Sequence, residues 1–253
     1  MNRLFSFLPL CLIFIAGCTH INNKKEADII DNKYRIVDAI EVVKDCDMEW
    51  ITRYEQSDIL KLKERAATEE KECDVLFFGS SSIRLWKSLA EDMAPLRVVN
   101  RGYGGATLRD IHYNYEVVMD SYRPKAFVVF CGNDMSGKSR DLRVWEVFDH
   151  YRLLFKRLEK DYPGIPVYFL SFKHSASRHD LRENQCMINA LMKDFADHSE
   201  QVTFIDICTP LLNADGSVNL DLFVEDKLHL NAKGYKLWTD AIKPILLKQI
   251  LNE

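Results

Sequence analysis

The chain has 253 residues, 47% hydrophobic and 28% charged, the balance of a soluble globular protein with enough apolar side chains for a full core. That length suits one α/β domain with a terminal extension, or two small domains. The formal net charge of −4 excludes the basic surplus of a nucleic-acid-binding protein, so no nucleic acid partner is expected, and seven scattered cysteines without a C-x-x-C pair argue against a zinc site.

Arg3 precedes an apolar run, Leu4 to Ile15, that is too short for a comfortable transmembrane helix. The run ends in Ile15-Ala16-Gly17-Cys18. Small residues before a cysteine, after a short apolar core, resemble the lipobox of bacterial lipoproteins. That resemblance implies a signal peptide over residues 1–18, lipidation of Cys18 as the first mature residue, and an exported protein held to a membrane by a lipid anchor. The alternative is an ordinary secretory signal with a chance cysteine. Residues 19–48 read as a tether and N-terminal extension, polar through Asn22-Asn23-Lys24-Lys25. Tyr34 to Lys44 fits a strand or a helix equally. Residues 49–253 form the main domain, opening with a helical stretch over Trp50–Ala67 that packs against it.

From residue 73 the pattern alternates strand and helix. Strands are expected at Asp74–Gly79, Arg97–Asn100, Ala126–Cys131, Val167–Ser171 and Val202–Ile207. Thr107 is a good N-cap for a helix with Leu108, Ile111, Tyr115, Val118 and Met119 on one face. A second helix carries Val144, Val147, Phe148, Tyr151, Leu154, Phe155 and Leu158 and stops before Pro163-Gly164. A third carries Leu181, Ile188, Leu191, Met192 and Phe195. The last begins at Asn231 with Tyr235, Trp238, Ile242, Ile245 and Leu246, and Pro244 is expected to kink it. Trp86 and Trp145 read as core. Five short apolar strands with amphipathic helices between them predict a parallel sheet covered on both faces, with ligands bound beyond the C-terminal strand edges.

The residues just past those strand ends carry the chemistry. Gly79-Ser80-Ser81-Ser82 follows the first strand and opens a helix, which places a hydroxyl at a helix N-terminus. Asn100-Arg101-Gly102-Tyr103-Gly104-Gly105-Ala106 follows the second, where three glycines permit close backbone approach to a ligand. Gly132-Asn133-Asp134 follows the third. Lys173-His174-Ser175-Ala176-Ser177-Arg178 follows the fourth, on the same edge, where it could touch substrate, with no role assigned to any one of its residues. Asp226 and His229 lie three apart before the last helix, close enough for the carboxylate to hold one imidazole nitrogen.

Those blocks, in that order, resemble the SGNH/GDSL hydrolase superfamily over about residues 74 to 250. The resemblance implies a flavodoxin-like three-layer α/β/α sandwich with a five-stranded parallel sheet. It implies a Ser81–His229–Asp226 catalytic triad, an oxyanion hole from the N–H groups of Ser81 and Gly105 and the amide of Asn133, and no metal or organic cofactor. Ser80 stands where the family has aspartate, which leaves the register among the three serines open. Gly102 and Gly104 remain alternatives to Gly105, and Asp134 is read as holding its loop. The string Gly-Ser-Ser-Ser-Ile-Arg-Leu-Trp is similar to a subgroup related to platelet-activating factor acetylhydrolase subunits and bacterial carbohydrate acetylesterases. The function it implies is removal of a short acyl group from a small acylated substrate, O-acetyl on a carbohydrate first, a lysophospholipid or other lipid ester second. Phosphate binding at the Gly/Ser turn and an inactive glycan-binding surface module are the competing classes. No lysine follows the serines as a P-loop needs.

Overall fold

The computed structural model describes residues 48–251. The signal peptide, the Cys18 lipidation site and nearly all of the tether lie outside the described residues. Helices α1 (Met48–Thr52) and α2 (Asp58–Ala66) lead into strand β1 (Glu72–Gly79). Then come α3 (Ser81–Arg84), α4 (Leu89–Met93), β2 (Val98–Gly102), α5 (Leu108–Tyr113), α6 (Tyr115–Met119) and β3 (Arg123–Phe130). The chain continues with α7 (Val144–Asp161), β4 (Val167–Leu170), a 3-10 turn (Ala176–Leu181), α8 (Arg182–Asp197), β5 (Val202–Ile205) and α9 (Ala232–Leu251).

The five strands are all parallel, in the order β2-β1-β3-β4-β5. Side chains alternate along each strand, so the sheet has two apolar faces and needs two covers. Leu76 and Phe78 of β1 and Phe127 and Val129 of β3 join Ile111, Tyr115, Tyr151, Leu154, Ile188 and Met192 in one core. Val75 and Phe77, with Ala126 and Val128, join Trp86, Trp238, Ile242 and Leu246 in the other. The result is the expected three-layer α/β/α sandwich. Chain order reverses between β1 and β3, the place where open sheets of this order leave a crevice at their C-terminal edge.

Several elements depart from expectation. The Trp50–Ala67 stretch breaks into α1 and α2 around a run of turns. The helix capped by Thr107 divides at Asn114, whose side-chain amide donates to the Asp110 carbonyl (3.1 Å); its cap is a full capping box with Asp110. Strand β2 runs on to Gly102 because Arg101 and Gly102 pair with Phe78 and Gly79. That extension buries Arg101 completely, and its guanidinium donates to the carbonyls of Val118, Leu62 and Val117. Trp86 is core, but Trp145 is 60% exposed: it follows Val144 on α7, one step off the face that carries Val147 and Tyr151. Ile245, on α9, is likewise exposed, and Pro244 sits within that helix without ending it.

Candidate active site

The serine turn is shaped by exclusion. Gly79 has φ +129°, and a Cβ there would lie 1.9 Å from the Phe130 carbonyl oxygen, so no other residue fits. The Ser80 N–H donates to that same carbonyl (2.9 Å). Gly102 presses against the start of the helix: a Cβ on it would meet the Arg84 nitrogen at 2.6 Å and Ile83 Cβ at 2.7 Å. Asn100 donates to the Ile83 carbonyl (2.7 Å) while its side-chain oxygen accepts from Gly102 N–H (3.0 Å). Tyr235 of α9 donates to the Ser82 carbonyl (2.8 Å). The turn is thereby clamped from β2, β3 and α9.

Of the three serines, Ser80 and Ser82 are buried, and Ser81 alone is half-exposed. Ser81 Oγ lies 2.8 Å from His229 Nε2. On the other side of the ring, His229 Nδ1 lies 2.5 Å from Asp226 Oδ2. Asp226 Oδ1 also accepts from the backbone N–H of Leu228 (2.8 Å) and His229 (2.9 Å). Desolvation works against the charged Asp226, but these N–H donors and the ring outweigh it and bring its carboxyl down to about 2. An ionised carboxylate only accepts hydrogen bonds. Nδ1 therefore carries the ring proton, and Nε2 is left to accept from the Ser81 hydroxyl.

Asn133 lies beside this chain of three. Its Nδ2 donates to the Ala106 carbonyl (3.0 Å), and its Oδ1 accepts from Arg178 Nη2 (2.7 Å). Arg178 Nη1 also donates to the Gly132 carbonyl (2.9 Å). The guanidinium fixes which way the amide points, since a flipped amide would set its NH2 against Arg178. It also draws charge from the carbonyl side, which makes the NH2 a stronger donor. Asn133 and Ser81 line one narrow pocket with Phe130, Phe172, Gln185 and Arg178.

Among the glycines, Gly102 and Gly104 face Arg84, whereas Gly105, at φ +69°, faces the Tyr54 hydroxyl and lines the next cleft, whose wall it shares with Asn133. Asp134 is fully buried and accepts from the Leu108 N–H (2.7 Å), the loop-holding role expected of it. Burial, the dominant effect, raises its carboxyl to about 7.

Two residues of the loop after β4, left without a role from sequence, belong to this site. Arg178 is one. Lys173 is the other: buried, its Nζ donates to the Leu228 carbonyl (2.7 Å), bracing the turn between Asp226 and His229 from below. Their signal was position alone, cations just past a strand end on the ligand-binding edge.

The arrangement is a hydroxyl hydrogen-bonded to an imidazole, a carboxylate on the far ring nitrogen and a side-chain amide alongside, the set of groups that acyl transfer can use. The model of the GDSL-like lipase/acylhydrolase family matches residues 75–237. No curated protein matches the chain significantly. Among solved structures, a Streptococcus pneumoniae protein named for platelet activating factor is 19% identical with a TM-score of 0.67, over 82% of this chain and 98% of its own. A GDSL-like lipase from Bacteroides thetaiotaomicron is 15% identical with a TM-score of 0.58, over 78% and 97%. A catalytic mutant of the acetylxylan esterase Axe2 from Geobacillus stearothermophilus is 16% identical with a TM-score of 0.56, over 70% and 94%. At these identities the likeness is one of fold.

Proposed function

The chain belongs to the GDSL-like lipase/acylhydrolase family, and from that premise we propose that it is a serine esterase that removes a short acyl group, O-acetyl on a carbohydrate. The reading rests above all on the unbroken hydrogen-bonded chain from Ser81 Oγ through His229 to Asp226. In the first step His229 Nε2 takes the hydroxyl proton as Ser81 Oγ attacks the ester carbonyl. Asp226 stabilises the imidazolium that forms. The oxyanion is met by the Asn133 amide and by the N–H groups of Ser81 and Gly105, each donor contributing on the order of 3 kcal/mol to the lowered barrier. The imidazolium then protonates the departing alcohol. In the second step His229 activates a water that attacks the acyl-enzyme, and Ser81 is regenerated as the free acid leaves.

The small pocket at Ser81 favours acetyl over a long chain. Phe130 and Phe172 line it beside Ser81 and His229. The acetylxylan esterase among the structural neighbours supports a carbohydrate alcohol. A series of p-nitrophenyl esters from acetate to decanoate tests this reading. Acetate is hydrolysed fastest, Ser81→Ala loses the activity, and chelators leave it intact. Preference for the long esters would instead assign a lipid substrate.

We further propose export and membrane anchoring through Cys18. Incorporation of labelled palmitate that is lost in Cys18→Ala supports it, and a soluble, unlabelled wild-type protein contradicts it.

A further inference from the structure

Nine buried side-chain atoms have no hydrogen-bond partner among the described residues, and one of them belongs to the wall of the Ser81 pocket: Gln185 Oε1. Gln185 is only 2% exposed. The other long polar side chains of that wall are committed. Asn133 is bonded to the Ala106 carbonyl and to Arg178, Arg178 also to the Gly132 carbonyl, Lys173 to the Leu228 carbonyl, and His229 to Ser81 and Asp226. A carboxamide oxygen buried without a partner has lost its water and has no bond in return, so its place on this wall calls for a physical reason.

Packing does not supply one. On α8 the buried positions Gln185, Ile188, Met192 and Ala196 form one stripe at helical spacing. The other three are apolar, and a methionine at 185 would fill the same space with no amide to desolvate. Nor is the residue loosely placed. One turn further along α8, the Asn189 side chain accepts from the Phe172 N–H (2.7 Å) and donates to the Phe172 carbonyl (2.9 Å). Phe172 lines the same pocket as Gln185. The helix and the pocket wall are thus tied together beside Gln185 before any ligand arrives, which lowers the ordering cost of binding.

We propose that Gln185 is a specificity-determining residue whose carboxamide binds a hydroxyl group of the substrate close to the reacting ester. The inference rests on the esterase reading above and adds a substrate class to it. Oε1 accepts the proton of such a hydroxyl; with the amide turned over, its NH2 donates to the hydroxyl oxygen, so a hydroxyl suits either orientation. A hydrocarbon chain in the same place leaves the amide unpaired, and the site discriminates against it. Two parts of an ester can carry the hydroxyl. One is the alcohol portion, as the neighbouring hydroxyl of an acetylated sugar, and the other is the acyl portion, as an α-hydroxyacyl group. Both give one substrate class, a short hydroxylated ester, in preference to a hydrocarbon ester of the same length.

Two pairs of esters test it, each pair differing by a hydroxyl in place of a methyl. Ethylene glycol monoacetate against propyl acetate probes the alcohol side, and ethyl glycolate against ethyl propionate probes the acyl side. The readout is the change in the hydroxyl-to-methyl ratio of kcat/KM between wild type and Gln185→Met, which cancels the intrinsic reactivity of each ester. The ratio should fall about tenfold, the worth of one bond to a buried group, in one pair or both, and the pair that moves identifies the carrier of the hydroxyl. Ratios unmoved in both pairs, the result if the carboxamide serves only to hold a water, overturn the proposal. The urea midpoint of Gln185→Met should stay level or rise, because Oε1 has no protein bond to lose; a marked fall makes the residue structural and overturns the proposal too. The same esters titrated into Ser81→Ala, with and without Gln185→Met, are read by ligand-observed NMR without turnover. An inactive wild type whose Ser81→Ala form prefers the hydroxylated ester through Gln185 refutes the esterase and keeps the recognition; an active one with unmoved ratios does the reverse.

Discussion

The two turns that meet at the cleft are built in opposite ways. The serine turn is set by steric exclusion inside the core: Gly79 has no room for a Cβ, and Gly102 lies against the nitrogen of Arg84. The histidine turn is exposed and set by polar contacts. Asp226 has a side chain 47% exposed, Lys227 adopts a left-handed φ of +54°, and the turn is held by the bonds of Asp226 to two N–H groups and of Lys173 to Leu228. A fault in the first turn therefore propagates into the sheet. A fault in the second leaves the fold standing and misplaces one ring. The serine turn is thus tied to the stability of the sheet, and the histidine turn is separable from it.

The strongest way to break that contrast is Gly79→Ala. A Cβ 1.9 Å from a backbone oxygen, at a φ that L residues rarely adopt, should cost several kcal/mol and leave little folded protein; urea unfolding of a protein near wild-type stability would show that the turn has slack. Asp226→Asn should do the reverse. Activity falls by about 10⁴-fold because the ring loses its orienting anion, while the urea midpoint moves little. Lys173→Met comes next. It keeps the apolar stem and removes the hydrogen bond to Leu228, so kcat should drop about tenfold, the worth of one buried bond, with KM nearly unchanged.

The smallest effect lies outside both turns. His112 and His150 are buried side by side between α5 and α7, with ring centroids 5.3 Å apart, and burial pushes them down to about 4 and about 3. Between pH 6.5 and 4 the unfolded chain binds protons that the folded chain does not. Stability should thus fall on acidification, by up to about 1.4 kcal/mol per pH unit for each histidine. Asp134, raised to about 7, acts in the opposite sense over that range. The difference in slope between wild type and His150→Gln isolates the histidine term, and identical slopes in urea titrations would remove it.

The same contrast explains what was legible in the sequence. The serine turn depends on residue type at fixed positions after a strand, and glycine, asparagine and serine announce themselves there. The continuous apolar run of Val75-Leu76-Phe77-Phe78 and the 3.6-residue spacing on α7 likewise report burial directly. The ends of β2 were not legible, because burying Arg101 needs three carbonyls supplied by α2 and α6. Arg178 and Lys173 were not legible as site residues for the same reason: each acts on a loop 45 or 55 residues away along the chain. Trp145 misled because its neighbours on α7 are buried and it lies one step off their face.

The most direct test of the account is covalent labelling with a fluorophosphonate, followed by peptide mapping. The predicted result is a single adduct on Ser81, lost in Ser81→Ala and retained in Ser80→Ala and Ser82→Ala wherever those variants fold. An adduct on Ser80 or Ser82, or undiminished labelling of Ser81→Ala, would contradict it.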